Sequence, residues 1–156
     1  MKREVIIALD FGSGDKALEF LDRFSETKPF VKIGMELFYG EGPQIVRDIK
    51  ARGHKVFLDL KLHDIPNTVG KAMKSLSSLD VDIINVHAAG AIEMMQAAAA
   101  GFADCDKKPL VIAVTQLTST DQQTMKNQLL IDYPMEEVVA KYAANAEAAG
   151  LAGVVC

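Results

Sequence analysis

Cysteine is scarce: Cys105 and Cys156 are the only two among 156 residues, and they stand at no metal-ligand spacing. That excludes a disulfide framework and a thiolate metal site, and it makes the cytoplasm the expected compartment. Long hydrophobic runs are missing too. Although 49% of the residues are apolar, the uninterrupted runs are far shorter than the roughly 20 residues a membrane-spanning helix needs. The N-terminal "MKREVIIALDF" sets basic residues before an apolar run, but the run is too short for a signal peptide and an aspartate ends it. No membrane partner is expected. Neither sign of charge dominates: 17 Lys and Arg against 21 Asp and Glu leave a formal charge of −4. The signs are interspersed, which excludes a basic stripe for nucleic acid and a like-charged tail. A glycine-rich phosphate turn is also lacking, since "LDFGSGD" after the first apolar run is a poor match to a dinucleotide fingerprint.

What is present is a repeat. Short apolar runs recur as "VIIALD" from Val5, "FVKIG" from Phe30, "VFLDLKL" from Val56, "DIINVHAAG" from Asp82, "PLVIAVTQL" from Pro109 and a terminal "GVVC". The first four begin roughly 25 residues apart, about the length of one strand, one helix and two loops. Between them, apolar residues fall at helical spacing. Ala17, Leu18, Leu21 and Phe24 share one face; Ile45, Val46 and Ile49 share another before Gly53; Val69, Met73 and Leu76 share a third. "AIEMMQAAAAGF" and "MEEVVAKYAANAEAAG" read as two further helices. Alternating strands and helices predict an α/β fold with parallel strands. An open doubly wound sheet and an eight-stranded barrel both fit. Polar residues at strand C-terminal ends (Asp10, Lys32, Asp59 with Lys61, His87, Thr115) favour the TIM (β/α)8 barrel, whose catalytic groups come from the ends of several strands. Eight such units need more than about 200 residues. Residues 1–156 are therefore expected to form a single barrel domain, incomplete at about five and a half βα units and ending within strand six.

The strand at Val56 raises a question of charge. Side chains alternate faces along a strand. Leu58, Leu60 and Leu62 should pack under the helices, which turns Phe57, Asp59 and Lys61 into the barrel. In "FVKIG" the same rule turns Lys32 inward, Asp10 lies at the matching level of the first strand, and Asp64 follows on the next loop. Buried charges are costly unless paired. An ion-pair network closing the mouth would satisfy them. Convergence from three strands at the catalytic end favours a functional reading. Clustered carboxylates could instead bind Mg²⁺, but the two interleaved lysines would repel a divalent ion.

The string "DLKLHDIPNT" has the pattern D-x-K-x-x-D-I-P-x-T, and it stands with "VIIALD", "VKIGMELF", "INVHAAG" and "TQLTS". Together these resemble the orotidine 5'-phosphate decarboxylase family over the whole chain, covering the N-terminal two-thirds or so of a family member. The resemblance implies a TIM barrel that converts orotidine 5'-phosphate to UMP in pyrimidine synthesis, without metal or cofactor. It implies catalytic roles for Lys32, Asp59, Lys61 and Asp64. It adds Asp10 on the ribose, Thr118 on the pyrimidine, and Ile65 and Thr68 of the motif among the substrate contacts. It further implies a homodimer in which Asp64 and Thr68 reach the partner's site. Loss of CO₂ leaves negative charge on C6 of the ring; the Lys61 ammonium would stabilise that charge and deliver the proton, aimed by Asp59 and Asp64.

Two rivals accompany this reading. One is a related Mg²⁺-dependent sugar-phosphate decarboxylase or aldolase, which by resemblance carries a carboxylate on strand two where this chain has Lys32. The other is an inactive barrel fragment, because the family holds phosphate with an arginine and backbone amides after strands seven and eight. Of the remaining residues, His63 is expected to be solvated or packed, His87 to make a structural hydrogen bond, and His54 to satisfy carbonyls at a helix end. "QLTSTDQQTMKN" reads as a polar connection or a mobile loop over substrate.

Overall fold

The structure is a computed structural model that describes residues 4–156; Lys2 and Arg3 of the basic N-terminal run lie outside the described residues. Each apolar run forms a strand: β1 (Ile6–Ala8), β2 (Phe30–Gly34), β3 (Val56–Leu62), β4 (Ile83–His87), β5 (Leu110–Val114) and β6 (Gly153–Val155). All pairings are parallel, and the six strands lie side by side in chain order. A doubly wound sheet would reverse its strand order at a switch point. Unbroken sequential order is that of a barrel wall. The wall is open, with β1 and β6 as its edges. Ile6 is consequently 37% exposed and Val155 41%.

Alternation decides which residues build the core. Val31 and Ile33 of β2, Val56 and Leu58 of β3, Ile84 and Val86 of β4, and Val111 and Ala113 of β5 are buried against the helical layer. The helices supply matching stripes. In α1 (Gly14–Asp22) Ala17 and Leu21 are buried; in α3 (Gln44–Ala51) Ile45, Val46 and Ile49; in α4 (Pro66–Leu76) Val69 and Met73; in α5 (Ala91–Ala100) Met94, Met95 and Ala98. Pro66 opens α4 at a position whose N–H has no intrahelical partner to lose. Helices α4 and α5 approach so closely that a Cβ on Gly101 would fall 2.6 Å from the Met73 Cβ and 2.8 Å from the Gly70 carbonyl oxygen. No helix among the described residues is long and apolar enough to cross a membrane.

Two helices lie outside the expected pattern. Helix α2 (Met35–Glu41) follows β2 without a loop and buries only Leu37. Helix α6 (Gln122–Gln128) sits in the connection after β5 that read as a polar loop. The Asp121 carboxylate caps it by accepting the Thr124 N–H at 2.7 Å, and Met125 anchors it in the interior. The Gln122 side chain then clamps the turn into α7 (Met135–Ala148), donating to the Tyr133 carbonyl at 2.8 Å and accepting the Met135 N–H at 2.7 Å. A capped helix and an amide clamp thus build part of this connection, and its polar residues include one exposed helix face.

Candidate active site

The three strands that carry the inward charges place them in one row. The Lys32 Nζ lies 3.5 Å from the Asp10 Oδ1 and 3.4 Å from the Asp59 Oδ2. The Lys61 Nζ donates to the Asp59 Oδ1 at 2.6 Å. The order Asp10, Lys32, Asp59, Lys61 alternates in sign. Asp59 is the deepest member, with 11% of its side chain exposed, against 24% for Lys32 and 25% for Lys61. Asp10, at 71%, is the outermost. These four residues border a cavity of about 220 Å³ with Gly34 and Glu36. Lys61 also forms a wall of a neighbouring groove of about 540 Å³, lined on its other sides by Phe38, Tyr39, His63, Asp64 and Thr68.

Burial alone would push the Asp59 carboxyl up. Hydrogen bonds from Lys61 and Asn85, with the charges of Lys61 and Lys32, outweigh it and hold the carboxyl below its ordinary value. Asp59 is therefore a fixed anion, and it holds the Lys61 ammonium at the cavity wall. A cation held beside a pocket is suited to charge that develops in a bound ring.

Regular alternation on β3 holds only as far as Leu60. Lys61 has a backbone φ of +52°, in the left-handed region that glycine enters freely and L-residues other than Asn and Asp enter at a cost. The ladder between β3 and β4 shifts at the same place: Leu58 stands opposite Ile84 and Leu62 opposite Val86. Leu62 is accordingly only half-buried instead of lying fully under the helices. Bulges re-aim side chains beside active sites, and this one turns Lys61 toward both cavity and groove.

Asn85 is the residue that sequence reasoning missed. It is 1% exposed, its Nδ2 donates to the Asp59 Oδ1 at 2.6 Å, and its Oδ1 accepts the Lys61 backbone N–H at 2.8 Å. A signal was available: an asparagine within "IINVH", two residues before His87, shares the inward face with the charges.

Four expected site residues stand apart from the charge row. Asp64, Ile65, Thr68 and Thr118 are exposed. The Asp64 carboxylate accepts the Ile65 N–H at 2.6 Å and makes no ion pair among the described residues. Asp64 and Thr68 face the groove next to Lys61. Thr118 sits in the turn between β5 and α6. His63 is exposed and packed, as expected, whereas His87 and His54 differ from expectation. His87 packs on the His63 ring, with centroids 5.5 Å apart. Burial, then the charges of His63 and Lys61, lower its pKa against the opposing pull of Asp59. The His54 ring, 2% exposed, pairs through Nδ1 with the Pro29 carbonyl at 2.9 Å, so it joins the start of β2 instead of capping a helix.

A parallel β/α-barrel wall with an alternating lysine–aspartate row at its C-terminal mouth defines the class: a β/α-barrel enzyme. Comparison with known proteins narrows it. The model of the orotidine 5'-phosphate decarboxylase / HUMPS family matches residues 3–156. An orotidine 5'-phosphate decarboxylase of Staphylococcus aureus is 57% identical over 156 residues, which is 100% of this chain and 67% of that protein. The crystal structure of orotidine 5'-phosphate decarboxylase from Lactobacillus acidophilus superposes with a TM-score of 0.94 at 37% identity, covering 99% of this chain and 71% of that one. An uncharacterised conserved protein from Geobacillus kaustophilus gives the same TM-score of 0.94 at 54% identity, covering 97% of this chain and 72% of that one. The chain belongs to the orotidine 5'-phosphate decarboxylase / HUMPS family, and it spans about two thirds of the length of the curated relatives it matches.

Proposed function

We propose that this chain carries the reacting half of a site that decarboxylates orotidine 5'-phosphate to UMP in the cytoplasm. The observation that carries this reading is the Lys61 ammonium, held at 2.6 Å by Asp59 on the cavity wall. In the proposed step the bond between C6 and the substrate carboxylate breaks. CO₂ leaves, the electron pair stays on C6, and Lys61 stabilises it and passes it a proton, becoming a neutral amine. Lys32 links Asp59 to Asp10, the proposed ribose contact. Ile65, Thr68 and Thr118 are proposed to complete the substrate contacts.

The family description names two groups, so membership does not by itself choose the chemistry. Lys32 supports the metal-free reading: on strand two it puts a cation where, by the resemblance, the Mg²⁺-dependent rival carries a carboxylate. Two lysines within the row oppose a divalent ion and supply the positive charge directly, so we propose a reaction free of metal and cofactor. A homodimer belongs to the same proposal. Asp64 and Thr68 are exposed beside the groove and leave the Lys61 of their own chain unpaired with Asp64, as expected if they serve a second copy.

UMP formation tests this. The 156-residue chain is assayed alone and with the C-terminal third of the Staphylococcus aureus relative supplied as a second chain. The assembled pair is expected to release UMP, and to do so after dialysis against EDTA. The chain alone, with both sheet edges unpaired, is expected to be at least about a thousandfold slower. A folded, stoichiometric pair that makes no UMP would refute the proposal. The dimer has its own test: mixing Lys61→Ala and Asp64→Asn pairs should restore activity, because one site of each mixed dimer carries neither change. No recovery despite proven subunit exchange would place Asp64 in its own site.

A further inference from the structure

We infer that Asn85 is a positioning residue that locks the Lys61 backbone and the Asp59 carboxylate into one unit across β3 and β4. The inference rests on the function proposed above for this site. Between the pairs Leu58–Ile84 and Leu62–Val86, three residues of β3 (Asp59, Leu60 and Lys61) stand opposite one residue of β4, Asn85. A parallel ladder cannot pair three residues with one, so part of the bulge must find its partners elsewhere. The Asn85 side chain provides them. Its oxygen takes the place of a ladder carbonyl for the Lys61 N–H at 2.8 Å, and its nitrogen donates at 2.6 Å to the Asp59 oxygen that also receives the Lys61 Nζ. One amide thus grips both ends of the ion pair, the counterion and the backbone of the lysine.

The position demands this chemistry. Asn85 is 1% exposed, and a buried amide is tolerated only when its donor and acceptor are both used. An apolar residue there would strand the Lys61 N–H at a residue already in the left-handed region, where strain persists only while the surroundings enforce it. Asp59 is faced by Lys32 from β2, Lys61 from its own strand and, at longer range, His87 from β4. Asn85 carries no ionisable group, so it donates to the carboxylate without competing for it as a further cation would. The amide therefore fixes geometry without altering the alternation of charge.

Two variants and two kinds of readout test the inference. NMR of the chain follows exchange of the Lys61 backbone amide and titration of the Asp59 carboxyl; kcat and KM for UMP formation are measured on the assembled pair. Asn85→Ala is expected to speed Lys61 amide exchange about tenfold or more and to move Asp59 titration to higher pH. It should lower kcat about 10- to 100-fold with KM changed less than about threefold. Asn85→Asp keeps an acceptor for the Lys61 N–H, so exchange should stay slow. It sets a second carboxylate against Asp59, so the titration should move up and kcat should still fall. Should Asn85→Ala fail to fold, the isosteric Asn85→Asp decides through its titration and its kcat. Wild-type exchange and wild-type Asp59 titration in a folded variant would overturn the inference. Shifted NMR readouts in a wild-type assembly that makes no UMP would uphold the positioning role and overturn the proposed function.

Discussion

Two lysine–aspartate clusters sit at opposite ends of the same sheet. At the C-terminal mouth are Asp10, Lys32, Asp59 and Lys61. At the other end Lys50 and Lys107 share Asp80 and Asp82. Both use the same residue types, and each has a carboxyl at its centre that burial would raise and that its partners bring below the ordinary value. Their connections differ. Asp82 accepts from Lys50 at 2.8 Å, from Lys107 at 2.9 Å and from the Val56 backbone N–H at 2.9 Å, so its donors tie the start of β4 to α3, to the segment before β5 and to the start of β3. Even the left-handed residue there, Asp80 at φ +49°, is of a type that tolerates that conformation. Within the charge row at the mouth a lysine on a bulge has the positive φ, and its cluster borders a cavity. Strain and an open cavity at the C-terminal end, closed pairing at the N-terminal end, is the division of labour expected of a barrel.

The largest expected effect separates the clusters by activity. Lys61→Ala in the assembled pair should lower kcat by about a thousandfold or more, because charge stabilisation and the proton source go together, while thermal denaturation shifts by only a few degrees. Near-normal turnover from a folded Lys61→Ala protein would erase the distinction between mouth and base. Asp82→Ala should do the reverse. It leaves the Val56 N–H without its partner and the largely buried Lys50 with only its longer ion pair to Asp80, at about 1 to 3 kcal/mol by urea unfolding, with kcat within about twofold. A kcat loss matching that of Lys61→Ala would show the two ends to be coupled.

Acid should expose what the clusters share. Asp59 and Asp82 titrate lower in the folded chain than in the unfolded chain, where the carboxyl value is about 3.9. The unfolded chain then binds more protons as pH falls. Their stabilisation is present above about pH 4 and is lost as pH drops through the folded-state values. Urea midpoints at neutral pH and near pH 3 measure this. Asp82→Asn should flatten the acid loss, and an unchanged slope would remove Asp82 from it. The smallest effect belongs to Lys107, whose side chain is 55% exposed. Lys107→Met should cost no more than about 0.5 to 1 kcal/mol, fading in high salt; a larger, salt-independent loss would make this exposed arm as important as Lys50.

Much of the fold was legible because its signals are local. β2 and β3 have the residues expected from "FVKIG" and "VFLDLKL", and Ile45, Val46 and Ile49 are all buried as their spacing predicts. Helix α6 was not legible, since it buries a single methionine and its polar composition matches a loop equally well. Leu62 was misplaced because alternation assumes a regular strand, and a bulge depends on the neighbouring strand's register.

The sequence by itself determined the repeat of strands and helices, the inward turn of Lys32 and Asp59, and the choice of a lysine on strand two. Each follows from backbone periodicity and residue chemistry within a few residues. The tertiary structure alone decided what depends on residues distant in the chain. Asn85 meets Lys61 across 24 positions and Asp59 across 26, and Lys50 meets Asp82 across 32. No local pattern encodes such pairs, because strand register is set by how whole layers pack. Lys61 is the point where the two meet: its charge and place are written in the motif, while its left-handed backbone, its bulge and its aim are set by the strand beside it.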